Sequence, residues 1–202
     1  MGRTYSYRSG VIMVLAHDTT AALTTAAAFI NTGVGSPDTL LTPADLDRFL
    51  DEQQFSGSRA HTLGELRAVR HLRARLAQLW TADEVALADG VNQLLRNSRA
   101  LPQVIRHDNW GWHLHCTSPA APLEERMATE AAMALADVLR GGELGRLGIC
   151  DAPDCSAVTL DLTRNRSKRY CDTGNCGNRE HVRSYRTRRA GRETSPLPAN
   201  GP

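Results

Sequence analysis

Aromatic residues make up only 5% of this 202-residue chain, and lysine occurs once, at Lys168, beside 23 arginines. What apolar character there is comes mainly from Ala and Leu, the residues with the best helix propensities, so helices are expected to dominate. So marked an absence of lysine fits the codon bias of a GC-rich genome, and arginine abundance alone is therefore weak evidence of function. No apolar run approaches the roughly 20 residues that a membrane helix requires. The stretch Val11–Ala16 follows Arg3 and Arg8 much as a signal sequence would, but it is short and is interrupted by His17 and Asp18. There is no G-x-S-x-G, P-loop or dinucleotide fingerprint, no convincing Ser, His and acid triad, and no internal repeat. An enzyme is the weaker class, and a cytoplasmic protein with no membrane role is expected.

Apolar residues still reach 41%, enough for a real core and against wholesale disorder. The length suits one medium domain with a small appended module. The net charge of +2 conceals an asymmetry. Residues 1–160 carry 14 Arg against 18 Asp and Glu, whereas residues 161–202 carry ten basic and four acidic residues. An acidic body with a basic tail piece is the charge footprint of a nucleic-acid-binding module on a separate domain.

Along the chain, residues 1–10 read as a loose leader and Val11–Ile30 as one Ala-rich helix, stopped by Asn31-Thr-Gly33. Thr42-Pro43-Ala44-Asp45 opens a helix to Gln53 that buries Leu46, Phe49 and Leu50. Thr62-Leu-Gly-Glu65 and Thr81-Ala-Asp-Glu84 read as capping boxes for helices near 63–80 and 82–96. Leu66, Val69, Leu72, Leu76 and Leu79 form the inward stripe of the first of these. Gln103–Arg106 and Trp110–Thr117 flank His107-Asp108-Asn109 as a β-hairpin. Its alternation puts Trp110, Trp112, Leu114 and Cys116 on a buried face and His113 and His115 outward. An apolar helix then runs to about Arg140 and ends at Gly141-Gly142.

Four of the five cysteines fall in two C-x4-C pairs within 27 residues, Cys150 with Cys155 and Cys171 with Cys176. Each pair places two sulfurs on one tight turn, with Pro153 and Gly174-Asn175 supplying turn geometry. Two matched claws read as a structural zinc site, one ion per chain, since thiolate is the preferred ligand of closed tetrahedral sites. A closed site leaves no open coordination position and argues against metal catalysis. His181 is a spare candidate, and Cys116 reads as a core thiol.

Cys176-Gly177-Asn178-Arg179 resembles the signature of the bacterial CGNR-type zinc finger proteins. Leu160–Cys171 and Val182–Arg189 are similar to that family too, with Tyr170 where Trp is usual and Asp161-Leu-Thr163 where Asp-x-Ser is usual. The helical half looks like the family's partner domain through Phe29-Ile-Asn31-Thr, the helix at 63–80 and Val91-Asn92-Gln-Leu-Leu95. The resemblance implies a transcription regulator with a DNA-binding zinc ribbon.

The segment after Cys176 reads as a helix from about Asn178 to Arg189. Arg179, Arg183 and Arg186 share one face at i, i+4, i+7, with Arg188 and Arg189 beside it. Arg164, Arg166, Lys168 and Arg169 precede the third cysteine and suit phosphate contacts. With only Asp172 and Glu180 among these arginines, few local acids are on hand to neutralise them. Asn178 and Ser167 are expected to satisfy backbone groups or thiolate sulfurs, and Asp161 to pair with an arginine.

The expected architecture is α+β, mainly α. A helical domain with a hairpin spans 1–147, a treble-clef or ribbon-like zinc module ending in a helix spans 148–192, and 193–202 is a disordered tail. The expected function is a zinc-dependent DNA-binding transcription regulator whose N-terminal domain senses a small-molecule effector or forms a homodimer. Trp110, Trp112, His113 and His115 are the candidate ligand pocket. An RNA-binding ribbon or a protein-interaction ribbon are the rival readings, with DNA favoured over RNA because exposed aromatics for base stacking are few.

Overall fold

The computed structural model describes residues 15–35, 38–106 and 112–193. Six helices occur among them: α1 His17–Asn31, α2 Pro43–Glu52, α3 Leu63–Trp80, α4 Glu84–Asn97, α5 Leu123–Arg140 and α6 Cys176–Glu193. Two antiparallel hairpins complete the fold, β1 Gln103–Ile105 with β2 His113–His115, and β3 Leu147–Ile149 with β4 Val158–Leu160. The class is α+β, mainly α, as the composition suggests.

Local chemistry accounts for the helix starts. The Thr42 hydroxyl accepts the Asp45 N–H, and the Asp45 carboxylate accepts the Thr42 N–H, so α2 opens on a closed capping box. At α3 the Thr62 hydroxyl caps Glu65, but the Glu65 carboxylate reaches back further, to the N–H groups of Ala60 and His61. The box expected at Thr81 does not form. Trp80 is fully buried and carries α3 to its end, leaving Thr81 as the C-cap, so α4 starts later on Asp83, whose carboxylate accepts the Ala86 N–H at 2.9 Å. The first helix is also shorter than expected. Leu15 and Ala16 are not helical, Ala16 being extended at ψ 156°, and the chain turns helical only at His17. Residues 1–14, including the expected leader and the first four residues of the expected helix, Val11–Val14, lie outside the described residues, as do 194–202 of the expected tail.

Small residues set the packing. Helix α5 buries Ala128, Ala131, Ala132, Ala134, Leu135 and Val138, and its alanines let α1 and α4 approach closely from either side. Gly90 of α4 permits a similar approach to α3, since a Cβ there would lie 2.1 Å from a Leu79 methyl. The expected stripe of α3, Leu66 through Leu79, is buried, as are Leu46, Phe49 and Leu50 of α2.

The alternation of the first hairpin was misleading. Trp112 is 71% exposed with the Arg106 guanidinium over its ring, Leu114 and its cross-strand partner Val104 are exposed, and of the described residues of that face only Cys116 is buried. Three-residue strands form a ladder too small to define an inside face, and the helices already fill the core. The described part of the expected buried face around Trp112 and Leu114 therefore faces solvent. His115 turns inward instead, half-buried. Trp110 and the His113 side chain lie outside the described parts of the hairpin.

Asp38 ties the loop after α1 to α3. Its carboxylate accepts both terminal nitrogens of Arg73, pairs with Arg70 at 3.1 Å and takes the Leu40 N–H at 2.8 Å. The Arg73 hydrogen bond, helped by Leu40 and both guanidinium charges and opposed by burial, holds its carboxyl down at about 2. A folded pKa below the unfolded 3.8 contributes stability that is present above that value and is lost as pH falls through about 2. Asp38→Asn should therefore cost on the order of 2 kcal/mol at neutral pH and only about a few tenths of a kcal/mol at pH 2, read from urea unfolding across that range. Equal cost at both ends would contradict this assignment.

Candidate metal centre

Cys150 leaves β3, whose register with β4 pairs Leu147 with Leu160 and Ile149 with Val158. The turn that follows closes through the Cys155 N–H on the Ala152 carbonyl and the Cys150 N–H on the Ala157 carbonyl. The second pair is brought over it by the Asp151 N–H, which donates to the Arg169 carbonyl at 2.8 Å, and by the Cys171 N–H, which donates to the Cys150 sulfur at 3.4 Å. Cys176 is the first residue of α6. Gly174 and Asn175 make their turn without a positive φ; the left-handed residue of the ribbon is Arg166, at φ 49°.

The four sulfurs lie within 4.8 Å of one another, with Cys155 and Cys176 each 3.7 Å from Cys171. Tetrahedral zinc with bonds of about 2.3 Å puts its sulfurs about 3.8 Å apart, whereas a disulfide needs about 2.05 Å. The cluster therefore fits one structural zinc ion. Its sulfurs are not alike before metal arrives. Burial pushes the Cys155 thiol up to about 12, with the neighbouring thiols reinforcing the rise and a hydrogen bond involving Ala157 opposing it. At Cys171 burial is outweighed by hydrogen bonds from Thr173, the Gly174 backbone and the other thiols, which draw it down to about 6. Holding zinc requires all four as thiolates, so protons leave as metal binds. Charge compensation comes from Arg179, whose Nη2 lies 3.1 Å from the Cys176 sulfur and whose guanidinium also pairs with Asp154 at 3.3 Å. Asn178 and Ser167 were the expected supports. The thiolates are served instead by Arg179, Thr173 and backbone N–H groups, while Asn178 and Ser167 are both exposed.

Asp161 is buried and organises the loop between the claws. Its carboxylate accepts the Thr163 N–H and hydroxyl and the Lys168 N–H, at 2.6–2.8 Å. The arginine partner expected for it does not bond its carboxylate; Arg146 bonds its backbone carbonyl instead. That loop displays the basic residues unevenly. Arg166 pairs with the buried Glu143 at 2.9 Å, Lys168 with Asp172 at 2.5 Å, Arg169 with Asp151 at 2.7 Å and Arg183 with Glu180 at 2.8 Å. Glu143, Asp151 and Asp154 come from the segment before the loop, so more acids neutralise this face than its own sequence suggested. Arg164, Arg186 and Arg188 form no ion pair among the described residues and are exposed. Every side chain from His181 to Arg189 is exposed, including Tyr185.

The metal module is sewn to the helices. The Asn31 side chain donates to the Val158 carbonyl at 3.0 Å and accepts the Val158 N–H at 2.8 Å, extending β4 at the end of α1. The Trp80 indole N–H donates to the Thr159 carbonyl, Val158 and Leu160 join the helical core, and Val34 packs on the cysteine cluster. No local pattern marks Asn31 or Trp80 for this role, since both partners lie more than 75 residues away in the chain.

Of the two candidate pocket residues whose side chains are described, Trp112 and His115, only His115 lines a cavity, of about 180 Å³, walled by α1, α5, the segment after α2 and β2. Trp112 stands on the outside of the hairpin. No described helix is long and apolar enough to cross a membrane.

Comparison with known families matches residues 146–189 to the CGNR zinc finger and residues 23–142 to the ABATE family, described as "Putative stress-induced transcription regulator". No curated protein matches the chain. With more than half its length in the second match and its cysteines in the first, the chain belongs to the ABATE family and is a CGNR-type zinc finger protein.

Proposed function

We propose that this protein is a DNA-binding transcription regulator in which zinc fixes α6 as the groove-reading element. The observation that carries the reading is α6 itself. It is an 18-residue helix that starts at a zinc ligand, and every side chain from His181 to Arg189 faces solvent. A helix without a buried stripe gains little from tertiary packing, so its stability comes from its anchor and its partner. Among the described residues Arg186 and Arg188 are unpaired cations on it, and Arg164, on the loop before Cys171, is a third. Arg183, Lys168 and Arg169 sit in exposed ion pairs worth little, so a phosphate can displace their carboxylates. Arg166 and Arg179 are better committed, to buried Glu143 and to the Cys176 sulfur. Tyr170 is partly buried against Gly177, which leaves Tyr185 as the only exposed tyrosine of the ribbon and a poor platform for single strands. In this reading the module spans 148–192 and the helices of 1–147 respond to an effector.

The test is fluorescence anisotropy on duplex DNA from the protein's own promoter, with structured RNA as competitor. Arg186→Ala with Arg188→Ala should weaken duplex binding about tenfold or more, and lower the salt slope by about 0.9 for each phosphate no longer neutralised. Arg166→Ala, whose partner is Glu143, should show a smaller loss in affinity. Unchanged affinity in the double variant would favour a protein-docking ribbon, and RNA prevailing at every salt concentration would favour an RNA-binding one.

A further inference from the structure

Arg179 follows Cys176 by three positions in the first turn of α6, a spacing that puts the two side chains on one face of the helix. Its Nη2 lies 3.1 Å from the Cys176 sulfur, and its Nη1 lies 3.3 Å from the Asp154 carboxylate. Asp154 belongs to the other claw, between Cys150 and Cys155. One planar fork therefore spans both claws, joining groups 25 residues apart in the chain. The sulfur end of the bridge is buried, since Cys176 is 1% exposed, and a charge-assisted bond strengthens where water is excluded. The carboxylate end is open to solvent, so the pair with Asp154 orients the guanidinium more than it stabilises the fold. The other cations beside the cluster are turned elsewhere, Lys168 to Asp172 and Arg169 to Asp151. Four thiolates around one divalent ion leave an excess of negative charge, and Arg179 is the cation placed against it.

We infer that Arg179 is a positioning residue of the metal centre, which holds the Cys176 thiolate against the first claw and sets how firmly zinc is retained. It acts through Cys176 and Asp154, and its task differs from that of the arginines that share its helical spacing. Arg183 bonds Glu180 on its own helix and Arg186 is unpaired among the described residues, whereas Arg179 reaches back to the sulfur. The basic face of α6 that is free to meet nucleic acid therefore begins beyond the first turn. The role requires the zinc assignment and is independent of the nucleic-acid reading.

The experiment uses the full chain loaded with zinc or, separately, with cobalt. Arg179→Ala should weaken zinc binding about 10–100-fold in competition with a chromogenic chelator, the usual cost of losing a group that supports a metal ligand. Its sulfur-to-cobalt charge-transfer band should move to longer wavelength, because a thiolate relieved of a hydrogen-bond donor gives up its electrons more readily. Arg179→Lys should return the band partway, since an ammonium lacks the fork that meets sulfur and carboxylate together. Asp154→Asn should weaken zinc binding less than Arg179→Ala does, and should add nothing in an Arg179→Ala background. Wild-type zinc affinity in Arg179→Ala would overturn the proposal. So would weaker affinity with an unmoved cobalt band, the mark of a merely structural loss, or full additivity with Asp154→Asn. Should Arg179→Ala take up no cobalt, the band of Arg179→Lys decides in the same way. Duplex affinity is measured apart, with zinc in excess. A fall in duplex affinity at unchanged zinc affinity and cobalt band would place Arg179 on nucleic acid and refute its role at the metal. A wild type that binds no duplex would end the regulator reading, while the metal measurements still decide the role of Arg179.

Discussion

Cys171→Ser should reduce zinc from one ion per chain to near none and release α6 from the body of the protein. Cys171 sits at the centre of the cluster, 3.7 Å from both Cys155 and Cys176, and its N–H holds Cys150. A serine oxygen is a poor substitute for thiolate, and three remaining sulfurs leave the tetrahedron open. In isolated finger peptides a structural zinc is worth on the order of 10–16 kcal/mol. Here the loss should be partial, because Val158, Leu160 and Thr159 are held by the helical core, Asn31 and Trp80 whether or not metal is bound. Hydrogen exchange should show α1–α5 protected as before and residues 161–190 unprotected, with duplex affinity abolished. Chelation of the wild-type chain should reproduce both effects. The deciding measurement is metal analysis of protein prepared without chelator, where a metal-free wild type or a zinc-replete variant would refute the assignment.

Arg126→Ala should be among the most damaging single changes in the helices, at about 3–5 kcal/mol by urea unfolding, the sum of unmet carbonyls and a cavity. Arg126 is 5% exposed and has no carboxylate partner within bonding distance among the described residues. Its guanidinium instead bonds the carbonyls of Ser56, Ser58 and Ala121, and stacks over the Phe55 ring. One side chain thereby fastens the loop after α2 to the loop before α5. Gly57 makes room for it: a Cβ there would lie 2.4 Å from the guanidinium, at a φ of +98° that disfavours any other residue. Truncation would leave three carbonyls without donors and a cavity beside Phe55. Arg126→Lys, with a single ammonium in place of the fork, should recover only part of the loss. A change in stability below about 1 kcal/mol in the alanine variant would show that water replaces the fork, contrary to this account.

Helix content was legible because it depends on near neighbours. The stripe from Leu66 to Leu79 and the Thr42 helix start rest on residues three and four apart, whose interactions are complete within the helix itself. The four cysteines were legible for a related reason, since each claw is closed by its own short turn. The hairpin failed because alternation identifies a buried face only when something packs against it, and Trp112 faces solvent. The Thr81 cap failed because a buried Trp80 extended the preceding helix past it.

The sequence by itself determined the helical class, the zinc ligands and the basic helix that follows them, all features whose chemistry is complete within a few tens of residues. Only the tertiary structure decided which arginines are neutralised. Glu143, Asp151 and Asp154 reach the basic segment by the return of the chain through the metal site, while Arg164, Arg186 and Arg188 stay unpaired among the described residues. It also decided that Arg126 is buried, that His115 and Cys116 border a cavity, and that Asn31 and Trp80 hold the metal module. Each of these is a contact between residues distant in the chain, and its energy exists only once the helices have packed.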